Sequence, residues 1–434
     1  MEMGTLHRNS VAAQAGEGEV IYSSSQTACG QDGQKNAQLD AGALFVLKSE
    51  GSWMHCGYHL TTSIVAPALL SLPYAFVSLG WIGGMVCLCM GAAVTFYSYN
   101  LISLVLEHHA HLGHRQLRFK DMADHILGPG WGRYFVGPIQ FAVCYGAVIG
   151  SSLLGGECMK TIYVLSKPDG TMKLVCATAG AIYVGSTSKG PVKDYSITGD
   201  TTTKVFGVFS AIAIIATTYG NGIIPEIQAT LAPPVKGKMF KGLLICYIVV
   251  MVTFFSVAIA GYWAFGNQSA SIILSNFIDS DTGKTLVPKW FLMMTNIFTL
   301  LQLGAVGVVY LQPTNEVLES TFGDPKSPEF SMRNVVPRLI SRSLAVVTGT
   351  ILAAMLPFFG DINALIGAFG FLPLDFVMPV VFYNFTFRPS IRSPVFWLNT
   401  TIAVVFGILV VLGSIASVRQ IVIDANSYKL FANV

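Results

Sequence analysis

The 434-residue chain carries 53% hydrophobic residues and only 11% charged ones, against about 25% charged in an ordinary soluble domain. That is too little charge to cover a globular surface, and the mean hydropathy of +0.59 agrees. A net charge of +3 gives no polyelectrolyte signal for nucleic acid, and the eight cysteines form no CxxC pair and no metal-ligand spacing.

Residues 1–44 are polar and small, lack an apolar signal core, and are expected to form a flexible cytoplasmic tail. A transmembrane domain is expected over 45–417, with a short tail over 418–434. Apolar runs of about 20 residues cross the hydrocarbon core as helices. The first expected span is Cys56–Val77 and the second Ile82–Leu106. A polar connector follows, in which Phe119, Met122, Ala123 and Ile126 share one helical face. This predicts a short amphipathic helix at the membrane surface, stopped by Gly128-Pro129-Gly130. The third span is Tyr134–Leu154. Leu174–Ser186 is apolar but too short to cross, and a polar loop covers Thr187–Lys204. Further spans are expected at Val205–Ile227, Gly242–Phe265, Trp290–Leu311, Leu339–Phe359, Asn363–Phe385 and Phe396–Ser417. The sum is an all-α polytopic membrane protein with nine full spans and one stub.

Basic residues cluster in alternate connectors: Arg115, Arg118, Lys120 and Arg133; then Lys236, Lys238 and Lys241; then Arg333, Arg338 and Arg342; then Arg388 and Arg392. Those connectors read as cytoplasmic, which places the N-terminus inside. The sequon Asn267-Gln268-Ser269 then lies outside.

Two spans carry helix breakers at mid-depth: Thr61 to Pro67 in the first, and Thr217-Thr218-Tyr219-Gly220-Asn221-Gly222 with Pro225 in the fourth. Broken backbone survives in a membrane where it lines a site. Corresponding breaks in two halves point to a secondary transporter's substrate site. Free N–H groups there suit a carboxylate and exposed carbonyls an ammonium, so the pattern fits a zwitterion. The competing reading is ordinary proline kinks.

At these residues the chain resembles plant amino acid/auxin permeases, nearest to their GABA transporter branch. The resemblance is carried by His59 to Phe76, by Tyr219 to Gln228 and by Pro373-Leu374-Asp375-Phe376-Val377-Met378-Pro379. It implies the inverted-repeat fold of bacterial leucine transporters, with eleven helices including discontinuous ones. It also implies proton-driven symport of GABA or related amino acids at the plasma membrane. The chain departs from that pattern between Lys173 and Gly180, where the fourth family helix and most of the fifth are missing. A truncated, non-transporting form that assembles with a full-length homologue is the alternative reading.

Candidate substrate-binding residues are Thr62, Ser63, Ile64, Val65 and Ala66 for the carboxylate. Thr217, Thr218, Tyr219 and Asn221 are candidates at the second break, with the Tyr219 ring bounding the pocket. Acidic residues at membrane depth are functional candidates, so Glu226 and Asp375 are proposed for proton coupling. A carboxylate capped by backbone N–H groups is the structural alternative. Sodium coupling through Thr295, Asn296, Thr299 and Gln302 competes less well with polar contacts between helices. His108, His109, His111 and His114 read as a solvated or pH-sensitive loop and not as a metal site. No cofactor is expected. The expected partners are an amino acid and membrane lipid.

Overall fold

The computed structural model describes residues 50–165, 177–187, 193–232, 235, 237–279, 284–324, 326–328, 330–355 and 359–427. The expected N-terminal tail, the first residues of the stub and part of the loop after it lie outside the described residues.

Ser52 opens the first helix, α1 (Trp53–Ile64), its side chain accepting the His55 N–H at 3.2 Å. Pro67 ends it. Proline excludes its predecessor from helical backbone, and Ala66 is extended at φ −87°, ψ 162°. A 3₁₀ turn (Pro67–Ser71) leads into α2 (Leu72–His111). Gly80 interrupts α2 at φ +66°, ψ −177°, a conformation open essentially to glycine alone. The amphipathic α3 (Phe119–Ile126) buries Phe119, Met122 and Ala123, the face expected from its spacing. A π turn (Gly132–Val136) precedes α4 (Gly137–Leu165), and the stub is α5 (Ala177–Ser186).

The fourth expected span is two helices, α6 (Thr201–Tyr219) and α7 (Ile224–Ala229), parted at the expected break. Then come α8 (Lys238–Phe265), α9 (Lys289–Phe322) and α10 (Met332–Met355). The last expected pair contains α11 (Phe359–Ile366), a π segment (Gly367–Val377), α12 (Met378–Phe387) and α13 (Pro394–Ser427). The final helix continues ten residues past the expected end at Ser417.

Eight helical runs among the described residues are long and apolar enough to cross a membrane, where the sequence predicts nine. The difference arises because Cys56–Val77 and Ile82–Leu106 join through Gly80 into one run of 59 residues, Trp53–His111. A straight helix of that length would reach about 88 Å, nearly three hydrocarbon thicknesses. The two most enclosed runs are Thr201–Ala229 and Phe359–Phe387, and α6 and the π segment pack on each other at the centre. The chain is a multi-pass membrane protein, and its described residues form helices and no strand.

The corner between the 193–200 loop and the end of α8 is tied by Asp194. Its carboxylate accepts the Ser196 N–H and hydroxyl and the Asn267 side-chain amide, each at 2.9 Å. Its carbonyl accepts the Asn267 backbone N–H at 2.7 Å. The Ser196 N–H is the leading cause that holds this carboxyl below its ordinary range. Ser269 of the sequon is buried and donates its hydroxyl to the Gly266 carbonyl at 2.9 Å.

Candidate substrate site at two helix breaks

The backbone of a broken helix has to find other partners, and those partners define the site. At the first break the Val65 N–H returns to the Thr61 carbonyl at 2.8 Å and the Ala66 N–H to Ile64 at 2.7 Å. The carbonyls are met from α9: Tyr310 donates its hydroxyl to Ser63 O at 3.2 Å, and Gln302 donates its amide to Val65 O. Neither role is visible in the sequence, because the two residues lie more than 230 positions away. A polar side chain on an apolar helix is the only signal.

The two breaks face one cavity of about 40 Å³, lined by Ala66, Pro67 and Ala68 on one side and Thr217 on the other, with Tyr310 and Asn363. One water needs about 10–15 Å³ on this measure, so the space holds about three or four waters. Asn363 braces it, donating to Ser71 Oγ at 3.3 Å while its carbonyl accepts the Thr217 hydroxyl at 2.5 Å.

The expected residues distribute unevenly around that cavity. Ala66 and Thr217 line it. Ser63 and Ile64 are fully buried behind it, and Ser63 bonds back to Leu60. Thr62 is only half-buried and bonds back to Tyr58. Thr218 bonds to Ile214 within its own helix. The Tyr219 ring is not in the cavity lining. It is buried between Gly91 and Phe254, and its hydroxyl donates to Leu88 O at 3.0 Å. The Asn221 side chain is fully buried, and neither amide atom has a hydrogen-bond partner among the described residues.

Both acidic candidates converge on the second break. Asp375 reaches it from the π segment and accepts the N–H groups of Asn221 at 3.0 Å and Gly222 at 3.1 Å. Glu226 opens α7, and its Oε1 accepts Gln140 Nε2 at 2.7 Å and the Phe119 N–H at 3.4 Å. Gln140 also donates to Gly222 O at 3.0 Å, so one side chain joins the break to the carboxylate. Tyr99 completes the ring, donating to Tyr219 O at 2.9 Å. The surface helix α3 therefore seats on Glu226 through its first N–H.

Of the sodium candidates, Thr295, Asn296 and Thr299 bond to carbonyls of their own helix, and only Gln302 crosses to the break. His109 is buried, against the expectation of a solvated loop. Its ring lies 4.9 Å from His125 and its Nε2 is 3.4 Å from Thr386 Oγ1.

Comparison with known proteins adds an independent line. Residues 49–175 and 169–422 match the family described as transmembrane amino acid transporter protein. The chain is 59% identical to GABA transporter 1 of Arabidopsis thaliana, over 93% of this chain and 98% of that one. It is 25% identical to Lysine histidine transporter-like 1 of the same plant, over 92% and 94%. It is 28% identical to Lysine histidine transporter-like 3, over 83% and 87%. The alignment with GABA transporter 1 has 443 positions, of which 93% of this chain fills about 404, leaving about 39 as gaps in it. The two family segments meet at 169–175, in the stretch where the sequence departs from the permease pattern. With these matches spanning most of its length, the chain belongs to the transmembrane amino acid transporter family.

Proposed function

We propose that this protein is a proton-coupled symporter that imports GABA or related amino acids across the plasma membrane. The observation that carries the reading is the meeting of two helix breaks at one cavity, with two buried carboxylates fastened to the second break. The substrate's carboxylate is assigned to the backbone from Thr62 to Ala66, where the N–H groups of Val65 and Ala66 exchange their internal bonds for the substrate's. Its ammonium is assigned to the backbone of Thr217, Thr218 and Tyr219, beside Asn221. Glu226 and Asp375 are the coupling acids: each holds the second break in one protonation state and loosens it in the other. We place the fold in the inverted-repeat class of leucine transporters, with nine spans, a stub and a cytoplasmic N-terminus. The break at Gly80 supports counting the 59-residue run as two crossings. The printed name of the Arabidopsis relative supports GABA as the substrate.

A second reading has its own observation. A groove of about 390 Å³ opens beside the first break, lined by Val65, Pro67, Ala177 of the stub and residues of α8 and α9. Together with the gap of about 39 positions, it favours a shortened form that does not transport alone and assembles with a full-length carrier.

Uptake of labelled GABA at acidic and neutral external pH, with surface protein quantified, tests both. Uptake that rises with the inward proton gradient supports the symporter. Normal surface levels without uptake support the shortened form.

A further inference from the structure

Four histidines meet where α2 ends. His108 and His109 stand in its last turn, His114 lies in the connector, and His125 comes from the last turn of α3. The His109 ring stands edge-on to His125 with centroids 4.9 Å apart, His125 lies 5.3 Å from His114, and His108 lies 5.7 Å from His109. The His109 carbonyl accepts the His114 N–H at 2.9 Å, which turns the connector back over the cluster. From α12, Phe387 packs on His108 at 4.9 Å, and Thr386 Oγ1 lies 3.4 Å from His109 Nε2. The cluster thus clasps three helices. Among the described residues no group of three or more His, Cys, Asp and Glu could hold a metal ion, so proton uptake is the chemistry left to it.

Exposure differs within the clasp. His114 and His125 are exposed, and they cap His109, which is buried. The His109 Nδ1 is sealed from solvent without a hydrogen-bond partner. A neutral imidazole has one donor and one acceptor nitrogen, and an imidazolium has two donors. In the closed clasp the second donor has nothing to bond, and an unpaired buried charge is costly. The titratable groups that face His109 are the other three histidines. The acids nearby hold other partners. Glu107 of α2 accepts the Gly237 N–H at 3.2 Å, Asp124 of α3 accepts the N–H groups of Gly130 and Gly132 at 2.9 and 2.8 Å, and Asp121 lies 4.0 Å from Arg118. Arg115 of the connector, Lys120 of α3 and Arg388 after α12 are basic and supply no counter-charge. His109 therefore takes a proton only when its caps part. Acid favours the parting, because two protonated caps repel each other.

The short helix α3 carries the effect to the second break. Its first N–H, on Phe119, reaches Glu226 Oε1 at 3.4 Å, and its last turn holds His125. We propose that the histidine clasp is a pH-operated brake: acid on the face that carries the basic connectors protonates His109, frees α3, withdraws the Phe119 N–H from Glu226 and slows transport. The inference rests on the coupling and orientation readings above, in which that face is cytosolic, so that imported protons limit their own entry. An imidazole with the ordinary pKa of about 6.5, protonated only in the open clasp, keeps the clasp closed above that value. It multiplies opening about tenfold between pH 7.5 and 5.5.

The test is hydrogen exchange of the α3 backbone amides, corrected for intrinsic rate, in the full chain in lipid nanodiscs across that pH range. The expected result is an about tenfold loss of protection at pH 5.5 in the native chain, beginning near the histidine value of about 6.5, and no loss in His109→Gln, whose amide takes no proton. Where His109→Gln lacks native protection at pH 7.5, the onset in the native chain decides. In proteoliposomes with equal pH on both sides, which removes the proton gradient, GABA counterflow by His109→Gln is expected to be slowed at pH 5.5 less than that of the native chain. Equal protection at both pH values, an onset in the carboxylate range of about 4, or the same loss in a well-folded His109→Gln overturns the clasp. Equal slowing of counterflow in both chains overturns the brake. No counterflow by the native chain at either pH overturns the transport reading and the brake with it, and the exchange data still decide the clasp.

Discussion

Asp375 and Glu226 end on the same few residues of unwound backbone and treat them differently. Asp375 accepts two main-chain N–H groups, so replacing it with asparagine turns one acceptor into a donor aimed at donors. Asp375→Asn is expected to lower stability in detergent by about 1–3 kcal/mol, the cost of unsatisfied buried groups, read as a drop in melting temperature. Glu226 accepts with Oε1 and leaves Oε2 buried and unbonded. Glutamine at this position keeps an oxygen for the Gln140 and Phe119 donors, so Glu226→Gln should fold. Under the coupling proposal, its transport currents lose their dependence on external pH. Currents that keep the wild-type pH profile would remove Glu226 from the mechanism.

Among the elements, the tightest join is between α6 and the π segment that follows α11. A Cβ on Gly367 would stand 1.9 Å from the Ala213 carbonyl oxygen, and one on Gly220 would stand 2.1 Å from the Phe371 ring. The first obstacle is backbone and cannot rotate away. Gly367→Ala is therefore expected to separate the two most enclosed runs and to sharply reduce the yield of monodisperse protein, a cost above about 3 kcal/mol. Gly113, where a Cβ would meet nothing within 4 Å, has a positive φ of 86°, so alanine there tests backbone strain without collision. The Asp194 corner makes a prediction in pH. Asp194 has its carboxyl pKa lowered, first by the Ser196 N–H. A lowered pKa means the tether is complete above the ordinary aspartate value of about 3.9 and is lost only as pH falls through the folded value. Exchange of the Asn267 side-chain amide hydrogens, which reach the Asp194 carboxylate, corrected for intrinsic rate, should show equal protection at pH 7 and pH 5. Asp194→Ala should remove that protection at both.

For the molecule as a whole, the decisive variable is the gap of about 39 positions against GABA transporter 1. Inserting the corresponding segment of GABA transporter 1 between Leu165 and Ala177 should raise uptake at matched surface expression. Equal uptake with and without it would mean that the shorter chain is complete as a carrier. Much of this architecture was legible in the sequence. The spans follow from apolar length, and both breaks follow from Pro67 and from the Gly220 to Pro225 run, since proline and glycine act locally. What was not legible depends on approach across the fold. The partners of Ser63 and Val65 lie on α9, and the two N–H groups under Asp375 lie more than 150 positions away. The π segment was not foreseen, because glycine and proline are tolerated inside an apolar membrane helix.

The groove beside the first break has one more implication. If the groove faces lipid, Val65 and Pro67, which line it beside residues of α8 and α9, meet hydrocarbon. Hydrocarbon is an adequate barrier to a zwitterion, which would leave two full hydration shells behind, so the opening is no leak for substrate. It is a door for apolar molecules. Acyl chains become part of the wall, and chain length and unsaturation become determinants of how firmly Gln302 holds the Val65 carbonyl. Small alkanols dissolved in the bilayer then act on this protein as packing reagents, reaching the break without ever passing through water.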